Sequence, residues 1–97
     1  MSRFVLSPEA RQDLIDIWEY IAQDNIDAAD RVVGEIRNAM TTLAQNPRIG
    51  HFRKDLADEA LRFWRVFTYL VIYRPETKPI EIVRVLSAYR DIRKLLE

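Results

Sequence analysis

The first half of the chain carries apolar residues at the spacing of two amphipathic helices. A short apolar strand is predicted at 3–7, and it ends at Ser7 and Pro8, which are typical of a helix N-cap and a first helical position. Apolar residues three and four positions apart then predict helices at 8–24 and 27–45. They are Leu14, Ile17, Trp18 and Ile21 in the first helix, and Ala29, Val32, Val33, Ile36, Met40 and Leu43 in the second.

Only a few residues separate the two predicted helices, so an antiparallel hairpin is expected. Asn25 is expected to end the first helix in the left-handed conformation, and Asp27 to cap the second. Gly34 lies inside the second helix, where glycine costs about 1 kcal/mol relative to alanine, and close packing against the first helix would explain it. Asn46 and Pro47 end the second helix, because the residue before a proline is disfavoured in the α region.

The second half of the chain alternates strand-forming runs with short breaks. Residues 46–60 have no clear period and are expected to form a loop, with one helical turn at 56–60. Three runs rich in Val, Ile, Tyr, Phe and Trp follow, and they predict strands at 62–67, 69–74 and 80–87 in a meander. A short C-terminal helix is expected after the last strand.

The order of these elements, β-α-α-β-β-β, predicts an α+β fold. In this fold an N-terminal strand and an antiparallel helix hairpin pack on a mainly antiparallel sheet, and a short C-terminal helix follows. A chain of 97 residues fits one domain, 1–97, with a small core. Trp18, Trp64 and Tyr73 are expected to belong to that core.

Composition narrows the class of protein. Hydrophobic residues make up 48% of the chain and charged residues 31%, which is typical of a soluble globular domain. No apolar run approaches the roughly 18 residues of a membrane-spanning helix, and the N-terminus lacks a signal-peptide pattern, so a cytoplasmic location is expected. The chain has no cysteine and one histidine, His51, which argues against a structural metal, and no cofactor is expected.

The formal net charge of zero conceals a division along the chain. Residues 1–46 hold four arginines against eight acids, whereas residues 47–97 hold eleven lysines and arginines against seven acids. The basic half could meet an anionic partner, either nucleic acid or an acidic protein segment, or its charges could simply face water.

Three stretches of the chain together resemble the ParE branch of the ParE/RelE superfamily, the toxins of type II toxin–antitoxin modules. They are LSPEARQDLIDIWEYIAQDNIDAADRVVGEIRNAMTTLAQNPRIG at 6–50, LRFWRVFTYLVIYR at 61–74 and IEIVRVLSAYRDI at 80–92. The resemblance covers nearly the whole chain, and the family fold agrees with the one predicted above. It implies a toxin that a cognate antitoxin keeps harmless.

Two activities occur on this fold, so only the residues of the site can distinguish between them. ParE-type members act on DNA gyrase, whereas RelE-type members cut mRNA in the ribosome. We expect gyrase inhibition, which needs no catalysis, with a ribonuclease and a degenerate antitoxin-binding module as alternatives. In a ribonuclease, Tyr89, Arg84 and Arg65 would be the catalytic candidates. Many members of the superfamily carry histidine where this chain has Ser87, and its only histidine, His51, lies in the loop.

The resemblance and the basic second half together indicate a target-binding surface. Its candidate residues are Arg53, Lys54, Tyr89 and Arg90. Structural roles are open for two of them, since Tyr89 could cover a sheet edge and Arg90 could serve as a surface ion-pair donor.

A second surface is expected to bind the antitoxin. Its candidate residues are Arg62, Trp64, Tyr73 and Arg84. The antitoxin segment would lie in a groove as a helix or add a strand to an exposed sheet edge. Because the antitoxin would normally carry the DNA-binding part, no unaided nucleic-acid binding is expected.

Overall fold

The predicted order of strands and helices is present in the computed structural model, which describes residues 3–58 and 60–97. The described strands lie side by side in one sheet in the order β1-β4-β3-β2. β1 runs parallel to β4, and the other two pairs are antiparallel, so the predicted fold class is confirmed. The elements are β1 (Phe4–Leu6), α1 (Pro8–Ala22), α2 (Ile26–Gln45), β2 (Arg62–Val66), β3 (Tyr69–Arg74), β4 (Ile80–Ser87) and α3 (Ile92–Leu95).

The start of α1 agrees with the prediction. The Ser7 side chain accepts a hydrogen bond from the Ala10 N–H at 2.9 Å, and Pro8 occupies the first helical position. The same hydroxyl donates to the Val83 carbonyl at 2.7 Å. Ser7 therefore caps α1 and joins its first turn to the sheet.

The predicted cap of α2 is wrong by two residues. Asn25 is the N-cap, with a φ of −161° and a side chain that accepts from the Ala28 N–H at 2.9 Å. Asn25 is therefore extended, not left-handed as predicted. Asparagine and aspartate cap helices about equally well, and Asp27 instead lies in the first turn, where its charge complements the helix dipole.

Two further expectations in this region need correction. A Cβ built on Gly34 would meet no atom within 4 Å, so close packing does not explain this glycine, and nothing else in the structure does. The helical turn predicted at 56–60 includes Glu59, which lies outside the described residues. The described part forms a turn slightly earlier, where the N–H groups of Leu56 and Ala57 donate to the Arg53 carbonyl at 2.9 and 3.0 Å.

The sheet has a core on each face. The helix-side core is covered by α1 and α2, and the loop-side core by the loop before β2 and by α3. The helix-side core consists of Ala10, Leu14, Ile17, Ile36, Met40, Leu43, Val71, Tyr73, Ile80, Ile82 and Val85. The loop-side core consists of Leu61, Phe63, Leu70, Ile72, Leu86 and Ile92.

The three large aromatic residues expected in the core differ in their burial. Tyr73 is fully buried, as predicted. Trp18 and Trp64 are only half buried. Trp18 lies at the edge of the helix hairpin, where its Nε1–H donates to the Asp30 carboxylate at 2.8 Å, and an edge position satisfies the indole N–H that a fully buried tryptophan would have to pair.

β4 is irregular at the point where it is hydrogen-bonded to α1. Ile72 pairs with Arg84 but Tyr73 pairs with Ile82, so β4 has one extra residue at this point. The Arg84 guanidinium reaches α1 and donates two hydrogen bonds to the Asp13 carboxylate, at 2.8 and 2.9 Å. The Val85 N–H donates a third at 2.9 Å. Asp13 is only 9% exposed, and these three bonds satisfy its carboxylate.

Candidate functional site

A cleft of about 350 Å³ opens on the loop-side face, where the chain leaves β4. Its floor is apolar, its rim is basic, and no acidic residue of the described chain lines it. We call it the arginine cleft. Its rim consists of His51, Arg53, Arg65 and Arg90, and its floor of Leu56, Phe63, Leu70, Ala88 and Ile92.

The strands and the turn after β4 place the rim residues. Arg65 follows Phe63 by two positions on β2, so both side chains lie on the same face of the sheet. After β4 the Ala88 N–H donates to the Thr68 carbonyl at 2.7 Å, which keeps the chain beside the β2–β3 hairpin. The Arg90 N–H then donates to the Ser87 carbonyl at 3.1 Å, so Arg90 lies in a turn ahead of α3.

Two side chains of the sheet, Tyr73 and Arg62, are hydrogen-bonded to the loop that leads from α2 to the arginine cleft. The Tyr73 hydroxyl donates to the Pro47 carbonyl at 2.6 Å and accepts from the Gly50 N–H at 3.0 Å. Its partner across the ladder, Arg62, donates from Nη1 to the carbonyls of Arg48 and Gly50, at 2.9 and 2.7 Å. We call these two residues the Tyr73–Arg62 clamp. A side chain at Gly50 would collide with the Tyr73 hydroxyl, which explains the glycine.

His51 and Phe52, the next residues of this loop, are also held by contacts with β2. His51 exchanges two backbone hydrogen bonds of 2.8 Å with Phe63, and its ring stacks on Trp64 with centroids 5.9 Å apart. The Phe52 ring lies 4.1 Å from the Arg62 guanidinium, in cation–π geometry. The loop therefore brings the only histidine of the chain to the rim of the cleft.

The three arginines of the rim differ in their availability. Arg53 forms an exposed ion pair with Asp55 at 2.8 Å, and this hydrogen bond raises the pKa of Arg53 and lowers that of Asp55. Arg65 donates from Nε to the Phe67 carbonyl at 2.8 Å. Within residues 3–58 and 60–97, the Arg90 guanidinium has neither a hydrogen bond nor an ion pair. Arg90 is therefore the rim arginine that is most available to an anionic partner.

The predicted target-binding residues lie near one another but not in one pocket. Arg53 and Arg90 line the arginine cleft, and Tyr89 is exposed directly beside Arg90. Lys54 lies in a neighbouring cleft together with Arg93. The structure thus joins two of the four candidates in one cleft.

The predicted nuclease candidates are divided between the two faces of the sheet. Arg65 lines the arginine cleft, but Arg84 is directed to α1, where the hydrogen bonds to Asp13 raise its pKa. Tyr89 lies in the exposed turn after β4. Arg65 and Arg84 therefore do not share a site.

The predicted antitoxin-binding residues are largely occupied within the chain. Tyr73 is fully buried, Arg62 belongs to the clamp, and Arg84 pairs with Asp13. Trp64 is half buried and stacks on His51. Of the four, Trp64 and the partly exposed Arg62 reach the surface at the outer strand of the sheet.

Sequence reasoning missed two residues that organise the site. The first is Asp13, which lies outside the apolar positions of the first predicted helix but is buried and bonded to Arg84, 71 residues away. The second is Gly50, whose N–H bonds to Tyr73. The glycine that ends the NPRIG stretch was the available signal, because an isolated glycine in a loop often marks a close approach.

Metal ligation and membrane insertion can be examined for the part of the chain that the structure describes. Within it, no group of three or more His, Cys, Asp or Glu side chains is arranged to hold a metal ion. None of its helices combines the length and apolarity needed to cross a bilayer.

Comparison with known proteins points to one group of toxins. Residues 4–92 match the family described as the ParE toxin of type II toxin–antitoxin system, parDE. The chain is 30% identical over 97 residues to Toxin ParE1 of two Mycobacterium tuberculosis strains, CDC 1551/Oshkosh and H37Rv, with 98% of both chains covered. Its fold is similar to a solved structure described as the chromosomal ParDE TA system from P. aeruginosa. That match has a TM-score of 0.73 and 21% identity, and covers 90% of this chain and 96% of the other.

Proposed function

Because this chain belongs to the ParE toxin family of type II toxin–antitoxin systems, we propose that it inhibits DNA gyrase and that a cognate antitoxin neutralises it. The arginine cleft and the exposed turn beside it would contact gyrase. Arg53, Tyr89 and Arg90 would be the principal contacts, with Lys54 in the neighbouring cleft as a further one. No residue of the chain would act as a catalyst.

The observation that carries this proposal is Arg90, whose guanidinium has no partner among the described residues and which lies at the end of a basic rim over an apolar floor. Such a surface suits a protein partner that offers both acidic and apolar side chains. Energy at protein interfaces is concentrated in a few aromatic and arginine residues, and Tyr89 and Arg90 are adjacent in the exposed turn.

A supercoiling assay tests the proposal. Purified toxin, freed of its antitoxin, should inhibit gyrase supercoiling of plasmid DNA. Arg90→Ala should weaken this inhibition by about tenfold or more, since a hot-spot residue contributes at least about 1.4 kcal/mol. Arg37→Ala is the matched control, because Arg37 is an exposed arginine of α2, which covers the face of the sheet opposite the arginine cleft. A folded wild-type sample that leaves supercoiling unimpaired would contradict the proposal.

One observation favours the ribonuclease alternative. His51 lies on the same rim as Arg53, Arg65 and Arg90, which is a combination of an imidazole with phosphate-binding cations. A ribonuclease that used His51 would cleave mRNA on translating ribosomes, and His51→Gln would lower its rate by about 10²–10⁴. A gyrase inhibitor should lose much less with the same substitution. Cleaved mRNA with normal supercoiling would favour the ribonuclease, and inactivity in both assays a degenerate antitoxin-binding module.

For the antitoxin, we propose a segment that lies along β2, the outer strand of the sheet. Arg62 and Trp64 would contact it there, the exposed part of Arg84 would contribute from the helix side, and Tyr73 would act through the clamp. Hydrogen exchange with and without the antitoxin tests this surface. Protection should appear in β2 and β4, and protection confined to the outer faces of α1 and α2 would contradict it.

We also propose that residues 1–97 form one toxin domain that acts in the cytoplasm, where gyrase and its DNA are found. The antitoxin would supply any DNA-binding part of the complex. Purified toxin alone should therefore bind duplex DNA weakly, and this binding can be measured in the absence of gyrase.

A further inference from the structure

The β2–β3 hairpin places a phenylalanine where the backbone favours glycine. The hairpin loop consists of Phe67 and Thr68, and Phe67 has a φ of 54°. Thr68 does not have a positive φ, so only the first loop position is positive, as in a type II′ turn, where glycine is the usual residue. A bulky residue adopts this conformation only at an energetic cost.

Burial within the chain does not compensate for this cost. The Phe67 side chain is 55% exposed and belongs to neither core. Strained residues persist where the surrounding structure holds them, and they are concentrated at functional sites. A role in binding therefore explains the strained Phe67 better than a role in stabilising the fold does.

Two hydrogen bonds fix the turn relative to the arginine cleft. The Arg65 Nε–H donates to the Phe67 carbonyl at 2.8 Å, and Arg65 also lines the cleft. The Ala88 N–H donates to the Thr68 carbonyl at 2.7 Å, directly before the exposed Tyr89. The backbone of the turn, and with it the attachment point of the Phe67 ring, is thus held beside the candidate site.

Other aromatic side chains are exposed at the same end of the molecule. Tyr89 is 80% exposed and follows Ala88, which bonds to the hairpin loop. Tyr20 is 72% exposed and lines, with Tyr69 and Arg90, a groove on the helix side. Exposed aromatic rings beside arginines have the composition of an interface hot spot.

We propose that Phe67 is an aromatic anchor that enters an apolar pocket of the protein that this toxin inhibits, while Arg65 and Arg90 meet acidic residues at the rim of that pocket. This inference rests on the proposed inhibition of gyrase and adds to it a contact residue outside the arginine cleft. The occupant is a protein surface with an apolar pocket and an acidic border, since that surface complements both the ring and the two cations.

Nucleic acid is a poorer match for the same surface. Binding along a phosphate backbone depends on several cations that are free to replace counterions. Here Arg53 is paired with Asp55, the formal net charge is zero, and Asp16 lines the groove that also contains Arg90. These features favour a protein partner.

The substitution Phe67→Gly separates binding from stability. Glycine removes the ring and also relieves the strain, so the melting temperature should stay unchanged or rise by up to about 5 °C. Inhibition of gyrase supercoiling should nevertheless weaken by about tenfold or more. Phe67→Tyr restores an aromatic ring and should recover most of the lost inhibition. Ile26→Ala removes an exposed apolar side chain at the start of α2 and serves as the matched control.

Each other outcome overturns the inference in a distinguishable way. If wild-type toxin inhibits gyrase and Phe67→Gly inhibits equally well, the anchor is wrong while the proposed function stands. If folded wild-type toxin does not inhibit gyrase, both are wrong. If Phe67→Gly weakens antitoxin binding as much as it weakens gyrase inhibition, Phe67 contacts the antitoxin instead. If it weakens direct binding to a DNA duplex in the absence of gyrase, Phe67 contacts DNA instead. Should Phe67→Gly unfold, Phe67→Asn, which tolerates a positive φ, provides the same test.

Discussion

On one face of the sheet lie two helices of 15 and 20 residues, and on the other lie a loop and a helix of four residues. Among the described residues, eleven buried side chains form the helix-side core and six form the loop-side core. The helix side is held by packing between long elements. The loop before β2 is held by a few directed hydrogen bonds, above all those of the Tyr73–Arg62 clamp, although Tyr73 itself belongs to the helix-side core.

This difference separates stability from binding. The helix-side core contributes most of the apolar burial, which is the main favourable term in folding. The arginine cleft lies on the other face, where the covering elements are short and the rim residues are exposed. Residues of the rim can therefore change with little effect on the fold, whereas residues of the helix-side core cannot. The following experiments test or refine this division.

The largest effect is expected in the helix-side core. Ile36→Ala removes a fully buried side chain from α2 and should destabilise the protein by about 4 kcal/mol, because the surrounding helices cannot collapse into the cavity. Ile92→Ala removes an equally buried side chain beside the open cleft and should cost about 2 kcal/mol, since α3 can adjust. Urea unfolding measures both, with the exposed Ile15→Ala as control. Equal losses at positions 36 and 92 would contradict the division.

The second effect concerns the joint between α1 and β4. Asp13→Asn removes the negative charge that Arg84 pairs with and weakens the hydrogen bond from the Val85 N–H. Because Arg84 retains some exposure, the cost should be about 2–3 kcal/mol, below that of a fully buried pair. Asp16→Asn is the control one helical turn away, and its exposed carboxylate should contribute less than about 0.5 kcal/mol. A loss at Asp13 as small as this control would mean that the ion pair does not support the helix side.

A smaller effect is expected from the Tyr73–Arg62 clamp, which holds the loop before β2. Tyr73→Phe removes the hydroxyl that bonds to Pro47 and Gly50, and should cost about 1–2 kcal/mol. Hydrogen exchange at the Gly50 amide should accelerate more than exchange in α1 or α2, because the loop loses its anchor. Tyr69→Phe on the same strand is the control. Acceleration that is uniform over the chain would show that the clamp acts on the whole fold and not on the loop.

The smallest effect is a pH dependence above the neutral range. Burial raises the pKa of Tyr73 above its ordinary value of 10.0, so the folded protein holds this proton more tightly than the unfolded chain. The stabilisation from this group is complete below about pH 10 and is lost as the pH rises further. Burial also raises the pKa of Tyr69, which contributes in the same direction. Unfolding free energies at pH 8 and 10.5 should therefore decline less in Tyr73→Phe than in wild type, and equal declines would assign the effect elsewhere.

The periodic elements were predictable because they depend on local spacing. Apolar residues at helical spacing and β-branched runs placed α1, α2 and β2–β4 within a few residues. The cap of α2 was not predictable, since Asn25 and Asp27 are both good caps and the geometry of the hairpin decides between them. The turn at Phe67 was also missed, because it lacks the glycine or asparagine that signals its type.

The site was predictable only in part. The basic second half and the resemblance pointed to Arg53 and Arg90, which line one cleft. Spacing could not reveal that Asp13 is buried, because a carboxylate on a helix is normally assigned to solvent and its partner Arg84 lies 71 residues away. Contacts of this kind are set by the packing of α1 on β4 and become visible only in the folded chain.

The parallel pairing of β1 with β4 has a consequence for the synthesis of this protein. Phe4–Leu6 leave the ribosome before their partners at 80–82, which lie 76 positions further along the chain, have been made. β4 also lies between β1 and β3, so a nascent chain that ends before residue 80 lacks the strand that joins the two parts of the sheet. At about 5–20 residues per second, several seconds pass between these events. A growing or prematurely released chain therefore cannot complete this sheet, and we expect the proposed inhibition of gyrase to require synthesis past β4.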